Sequence, residues 1–385
     1  MIVSLRIVWH SNSPTNPTGY GKQTALFVPR IVELGHEIAA ISAPYSFGGC
    51  PIEWNGIPIL GCARDSAGND VLPQNHEYLK ADLTITLADA FGLEKCAGIM
   101  QDINVAMWFP VDCNPLGRGD AAVLRESQAI PIAMSNFGKG VLENEGAEPL
   151  YVPHGVNTEI YSPGDPMPYR DTVPGITEDT FVVGMVAMNR DPVRKGFQEQ
   201  LLAFSVFHQH HPDSFLVIHS SPSSPTLNLN AMAVKLGITG AIAFPDSYPY
   251  ELNLIGEEQM ATWYRGLDVL SLCSYGEGFG LPLIEAQACG IPVITTEFSA
   301  MAELCGAGWS VTGTSWWSDG HQSWWLRPDV EDIVNAYEMA WRARESGNLP
   351  KKQARDFAMQ YDADRVAELF WQPALEEIEE RIASR

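Results

Sequence analysis

Short apolar runs alternate along this chain with longer stretches in which apolar residues recur at helical spacing. In the first half, Leu5–His10, His36–Ala43, Leu83–Leu87, Val105–Pro110, Pro131–Ser135 and Leu150–Pro153 predict strands. Tyr20–Leu34 predicts a helix stopped by Gly35. Ile52–Cys62 predicts a hairpin turning at Asn55-Gly56, a dipeptide that tolerates positive φ at both turn positions. A second series follows, with strands at Phe181–Ala187, Ser214–His219, Ala241–Pro245, Asp268–Cys273 and Pro292–Thr296 and helices between them. From about Asp329 the pattern is helical to the end, with a last helix over Val366–Ile382.

Strands separated by helices pair in parallel, because each crossover must return over the sheet. The expected fold class is therefore α/β with doubly wound parallel sheets. Ser162–Arg170 is rich in Pro and Gly and reads as a linker. This divides the chain into residues 1–163, residues 164–365 and a terminal helix over 366–385.

A length of 385 residues exceeds one ordinary core and fits two domains. A hydrophobic fraction of 45% and a charged fraction of 18% are those of a soluble globular protein. No run approaches the roughly 20 apolar residues of a membrane span. The start, Met1 to Trp9, flows into a strand without a basic segment or cleavage site. The seven cysteines (50, 62, 96, 113, 273, 289, 305) are odd in number and lack CxxC spacing. They read as reduced thiols, and the expected location is cytoplasmic. The net charge of −23 disfavours nucleic acid and an anionic membrane face, and no basic cluster exceeds Lys351-Lys352.

The densest chemistry lies between Glu277 and Glu285. An apolar strand precedes Glu277, and Ala286–Cys289 reads as a helix closing on Gly290. The intervening Gly278, Phe279 and Gly280 thus supply backbone amides near a helix N-terminus, where an anion is favoured. Glycine lets a ligand approach the backbone. One carboxylate precedes the loop and one follows about a turn into the helix, and each can accept two hydroxyl donors from a diol.

Three further segments draw attention. Met188–Phe197 follows the first strand of the second series and carries Arg190, Arg194 and Lys195-Gly196, cations at a strand end that suit a diphosphate. Ser13–Gly21 follows the first strand and holds Gly19 and Gly21, but Thr24 stands where a third dinucleotide-loop glycine would be. Asp112 follows a strand end, the side of such sheets that faces ligand.

The run from Glu277 to Val293 resembles the Glu-x7-Glu signature of retaining glycosyltransferases with the GT-B fold, the glycosyl transferases group 1 family. Both glutamates, Gly278-Phe279-Gly280, Leu281-Pro282, Glu285-Ala286 and Gly290-Ile291-Pro292-Val293 fall in register. The resemblance implies two Rossmann-like domains facing a cleft, with the last helix crossing back to the first domain. It implies that Glu277 contacts the donor sugar and Glu285 the ribose, with Gly278, Phe279, Gly280 and Leu281 lining the donor site. Lys195 and an arginine would hold the diphosphate. Arg190 has the family's spacing to the lysine and Arg194 adjoins it, so both are candidates. Gly19 and Gly21 would lie over the donor phosphates. Asp112 would position the acceptor or take its proton. Ser135-Asn136-Phe137 resembles a Ser-x-Phe segment of the family and reads as a helix cap.

The implied substrate is a nucleoside-diphosphate sugar. Lys195, an arginine and loop amides stabilise the departing diphosphate. The acceptor hydroxyl attacks from the leaving-group face, with no protein nucleophile and no metal or other cofactor. The acceptor stays open among protein, glycan and small molecule. Two alternatives are a non-catalytic nucleotide-sugar or glycan-binding module on the same fold and a nucleotide-sugar epimerase. The latter needs acid and base residues flanking C2 of the sugar, which the sequence does not place.

Three segments mimic other chemistry. His208-Gln209-His210-His211 stands at a helix end with no acidic neighbour in sequence and reads as dipole-complementing rather than metal-binding. Asp362-Ala363-Asp364 spells a metal-binding Asp-x-Asp but opens a helix and reads as a cap. Trp309, Trp316, Trp317, Trp324 and Trp325 read as packing rather than a sugar platform.

Overall fold

The computed structural model describes residues 4–44, 52–61, 63–191 and 193–384. Cys50, Cys62, Pro192 and the first three residues lie outside the described residues. The chain forms two compact units. The first gathers Met1–Gly155, Ser318–Ser323 and Tyr361–Arg385, and the second Val156–Trp317 and Trp324–Gln360.

The first unit is built on strands β1 (Arg6–His10), β2 (Glu37–Ser42), β3 (Ile52–Trp54), β4 (Ile57–Leu60), β5 (Leu83–Leu87), β6 (Val105–Phe109), β7 (Ile130–Ala133) and β8 (Leu150–Tyr151). Their order across the sheet is β3-β4-β2-β1-β5-β6-β7-β8. All neighbours are parallel except the hairpin β3–β4, whose turn residues Asn55 and Gly56 both have positive φ. β5 and β6 are buried throughout, as central parallel strands covered on both faces must be.

β1 and β2 flank the helix Gly19–Glu33. Trp9 of β1, Phe27 of that helix and Trp108 of β6 converge with Trp371, a π-helical residue near the chain end. Trp371 lies 5.0 Å from Trp108 and 5.7 Å from Trp9, centroid to centroid. These fully buried rings are why the terminal helices group with the first unit.

The second unit carries β9 (Phe181–Val186), β10 (Ser214–His219), β11 (Ile242–Ala243), β12 (Val269–Leu272), β13 (Val293–Thr296) and β14 (Gly308–Val311) in the order β11-β10-β9-β12-β13-β14. Every pairing is parallel. Helices Phe197–His210 and Val330–Glu345 cover one face, and their Phe204, Phe207 and Tyr337 pack with Phe181 in its core. Strands β15 (Gly313–Ser318) and β16 (Ser323–Pro328) pair separately. Trp316 and Trp325 stack there at 5.7 Å, while Trp317 and Trp324 are exposed.

The Pro- and Gly-rich segment 162–170 is not extended throughout, since Met167–Arg170 forms a helical turn. Arg170 is buried, bonded at 2.8 Å to Asp268 and also to the carbonyls of Gly266, Thr177, Glu178 and Thr180. Five described cysteines are free, four of them buried. Among the described residues no helix is long and apolar enough to cross a membrane.

Candidate functional site

Two loops at strand ends of the second unit meet. One runs from β9 to the helix starting at Phe197, and the other from β12 to the helix Leu281–Ala288. Gly196, at φ +59°, lies so close to the end of β12 that a Cβ there would run into the carbonyl oxygen of Cys273. The Tyr275 amide donates to the Arg194 carbonyl at 2.7 Å. The loops are thereby fixed against each other.

This contact gathers charge. Lys195 Nζ lies 2.6 Å from Glu277 Oε1, and Arg194 Nη1 lies 3.2 Å from Glu277 Oε2. Arg194 also donates to the Gly276 carbonyl at 3.0 Å and pairs with Asp191 at 3.2 Å. Ser274 donates its hydroxyl to Glu277 Oε1 at 2.7 Å. Burial pushes the Glu277 carboxyl up, but the charges of Lys195 and Arg194 and the bonds from Lys195 and Ser274 outweigh it and hold the pKa at about 2. Glu277 is thus an anion at any physiological pH. Its partners keep an outlet to solvent, with 17% of the Lys195 and 22% of the Arg194 side chain exposed.

Beyond Glu277 the chain passes through Gly278, buried Phe279 and Gly280. Gly280, at φ +105°, ends the loop and precedes Leu281, the first helical residue. Glu285, one turn in, is buried. It accepts from the Tyr264 hydroxyl at 2.7 Å and from that of Tyr161. Burial and the Glu285 charge push both phenols up.

Of the two arginine candidates, Arg194 is the one on Glu277, while Arg190 is exposed in the same loop with Tyr250 nearby. Gly19, Gly21 and Asp112 belong to the first unit. Gly19 is exposed and opens its helix, capped by Thr18, which accepts from the Gly21 amide at 3.1 Å. A Cβ on Gly21 would strike the carbonyls of Asn16 and Ser13, so loop packing already requires that glycine. Tyr20 donates its hydroxyl to Asp89 at 3.0 Å. Asp112 follows β6, and its charge adds to the effect of burial on Cys113 and Asp120. Asp120, bonded by the Phe91 amide at 2.9 Å, is pushed up to about 7 by burial first.

The segments that mimic other chemistry have structural partners. Ser135 caps its helix by accepting from Gly138 at 3.0 Å, and Asp362 caps the helix Ala363–Val366. His211 does have an acidic neighbour in space, Glu338 at 2.7 Å, which sequence adjacency concealed. His208 bonds Ser214 at 2.9 Å instead. Among the described residues there is no group of three or more His, Cys, Asp or Glu suited to a metal.

Ser274, Ser299, Tyr161 and Tyr264 support the two glutamates and were not singled out from sequence. Ser274 carried one usable signal, a hydroxyl at the end of the strand leading to Glu277. The others come from distant segments.

The family described as glycosyl transferases group 1 matches residues 180–338. Among curated relatives, D-inositol 3-phosphate glycosyltransferase of Stackebrandtia nassauensis is 28% identical over 232 residues, covering 57% of this chain and 47% of the relative. Its counterpart in Rhodococcus erythropolis is 28% identical over 270 residues, covering 67% and 56%. The chain therefore spans about half the length of the curated relatives it matches. Sucrose-phosphate synthase of Thermosynechococcus elongatus superposes with a TM-score of 0.75 at 15% identity, covering 98% of this chain and 100% of that one. HepE of Anabaena, solved with UDP and glucose, gives 0.71 at 14% identity, covering 99% and 100%. The match to the glycosyl transferases group 1 family thus lies in residues 180–338, within the second unit, and the fold of the chain is that of the GT-B proteins it superposes on.

Proposed function

We propose that this chain is a retaining glycosyltransferase that moves a sugar from a nucleoside-diphosphate donor to an acceptor hydroxyl. The observation that carries the reading is the convergence of Lys195 and Arg194 on Glu277 beside a glycine loop that opens a helix. Two cations and loop amides make a receptor for a diphosphate. Names of relatives point the same way, since curated matches are glycosyltransferases and HepE was solved with UDP and with UDP-glucose. A UDP-sugar is the donor proposed.

In this reading Lys195 and Arg194 stabilise the charge that grows on the departing diphosphate. Glu277 orients the transferred sugar and Glu285 the ribose. The acceptor hydroxyl attacks from the face the diphosphate leaves, and the departing phosphate takes its proton. Asp112 is the candidate for acceptor positioning.

A screen of UDP-, GDP- and ADP-sugars for released nucleotide, with and without EDTA, tests this. Turnover is expected with a UDP-sugar, and it should persist in EDTA because side-chain cations supply the countercharge. No release from any nucleotide sugar overturns the activity. Loss in EDTA with recovery on Mn²⁺ or Mg²⁺ overturns its metal independence.

A further inference from the structure

Glu277 is held by its backbone as well as by its carboxylate. Its amide donates to the Ser299 hydroxyl at 3.0 Å. Ser299 lies just beyond β13, before the short helix Ala300–Leu304, and is 3% exposed. Its backbone sits at φ +55° and ψ −153°. That region is almost exclusive to glycine, because any Cβ there crowds the backbone. A serine in it is a strained residue beside a candidate site. The strain accompanies one specific bond, which glycine could not make.

We infer that Ser299 is a positioning residue for Glu277, its strained backbone aiming a hydroxyl that fixes the Glu277 amide and hence the carboxylate beside Lys195 and Arg194. The inference rests on the glycosyltransferase reading for its effect on rate, but the contact itself is independent of that reading. Ser299 touches no reacting atom. Its hydroxyl oxygen accepts from an amide and sets where the Glu277 main chain stands. Ser274 does the complementary task at the carboxylate, 2.7 Å from Oε1. Together they leave Glu277 few alternative rotamers, so the group that meets the sugar is placed before the donor arrives.

Two substitutions separate the hydroxyl from the strain. Ser299→Ala keeps a Cβ in the strained conformation and removes the hydroxyl. Ser299→Gly removes both. If the hydroxyl positions Glu277, both variants lose kcat for UDP-glucose by roughly five- to tenfold, the worth of about one hydrogen bond. Their affinity for UDP alone, measured by calorimetry, should stay within about twofold of the wild type, since Lys195 and Glu285 are untouched. Heat stability should part the pair, with Ser299→Gly melting above Ser299→Ala because its backbone is relaxed.

A third readout needs no activity. Hydrogen exchange of the Glu277 amide should quicken by roughly tenfold in both variants while the core strands keep their protection. Wild-type kcat in either variant overturns the inference, and so does unchanged exchange at Glu277. A fall in UDP affinity matching the fall in kcat would make Ser299 merely structural and also overturns it. If the wild-type protein turns over no nucleotide sugar, the enzyme reading falls, and the exchange measurement still decides the Ser299 contact.

Discussion

Glu277 has two partners it would have to share with a donor. Its carboxylate pairs with both Lys195 and Arg194, and Asp191 adds a second carboxylate to Arg194. A diphosphate arriving there meets cations already paired, and Glu277 competes with it. Glu277→Gln should therefore bind UDP at least as tightly as the wild type, while kcat falls roughly a hundredfold because the sugar loses its orienting group. Glu285→Ala should instead weaken UDP and donor alike, by roughly ten- to hundredfold for a lost charge-assisted bond. Calorimetry with UDP beside steady-state rates separates the two glutamates, and the opposite pattern would exchange their roles. Linkage adds a sign. A carboxyl lowered to about 2 contributes stability that is whole above the ordinary glutamate range and is lost as pH falls toward 2. An acid limb in the activity between pH 5 and 7 would belong to another group.

At the scale of elements, the site depends on two loops approaching closely, and Gly196 is the residue that lets them. Gly196→Ala must push the Cys273 carbonyl away while holding φ at +59°. The expected cost is about 1–3 kcal/mol, or roughly 2–4 °C of melting temperature for each kcal/mol. Thermal melting checks it, and nucleotide affinity should fall with it because Lys195 is the neighbouring residue. Most of these elements were legible. The buried strands announce themselves as apolar runs, and β1, β5, β6, β9, β10 and β13 lie within two residues of their expected bounds. β14, β15 and β16 were not foreseen as strands. Their Gly, Ser and Thr residues interrupt the Trp positions and leave no long apolar run, and pairing partners rather than local pattern create them. Lys195 and Glu277 could be nominated because each adjoins a glycine at a strand-to-helix loop, and Glu285 because it completes the Glu-x7-Glu pattern a turn into the helix. That Arg194 rather than Arg190 meets Glu277 could not be read, since it depends on how the loop folds onto the Gly276 carbonyl. The positive φ of Ser299 leaves no trace in the sequence at all.

On the scale of the whole molecule, acidic residues outnumber basic ones by 47 to 24. Against that field, the adjacent cations Arg194 and Lys195, held by Glu277 and Asp191, are the group proposed to receive the donor's phosphates. The first unit carries an electrostatic cost of its own. Asp120 is raised to about 7, so below pH 4 it is neutral in both states and costs nothing. Between pH 4 and 7 the unfolded chain ionises this carboxyl while the fold keeps it protonated, so stability falls by on the order of 4 kcal/mol and stays lost above 7. Asp120→Asn keeps an acceptor for the Phe91 amide and should raise the melting temperature at pH 8 but not at pH 4. Equal shifts at both pH values would contradict that assignment.

Calorimetric titration of the wild type and Lys195→Ala with the nucleoside diphosphate of the preferred donor, UDP first, decides whether Lys195 holds the diphosphate. Binding to the wild type is expected, with a roughly ten- to hundredfold weaker affinity in the variant and loss of donor turnover. Donor binding without turnover in the wild type would leave a binding module in place of an enzyme. Equal affinity in the two proteins would contradict the account, because the diphosphate would then rest somewhere other than on Lys195.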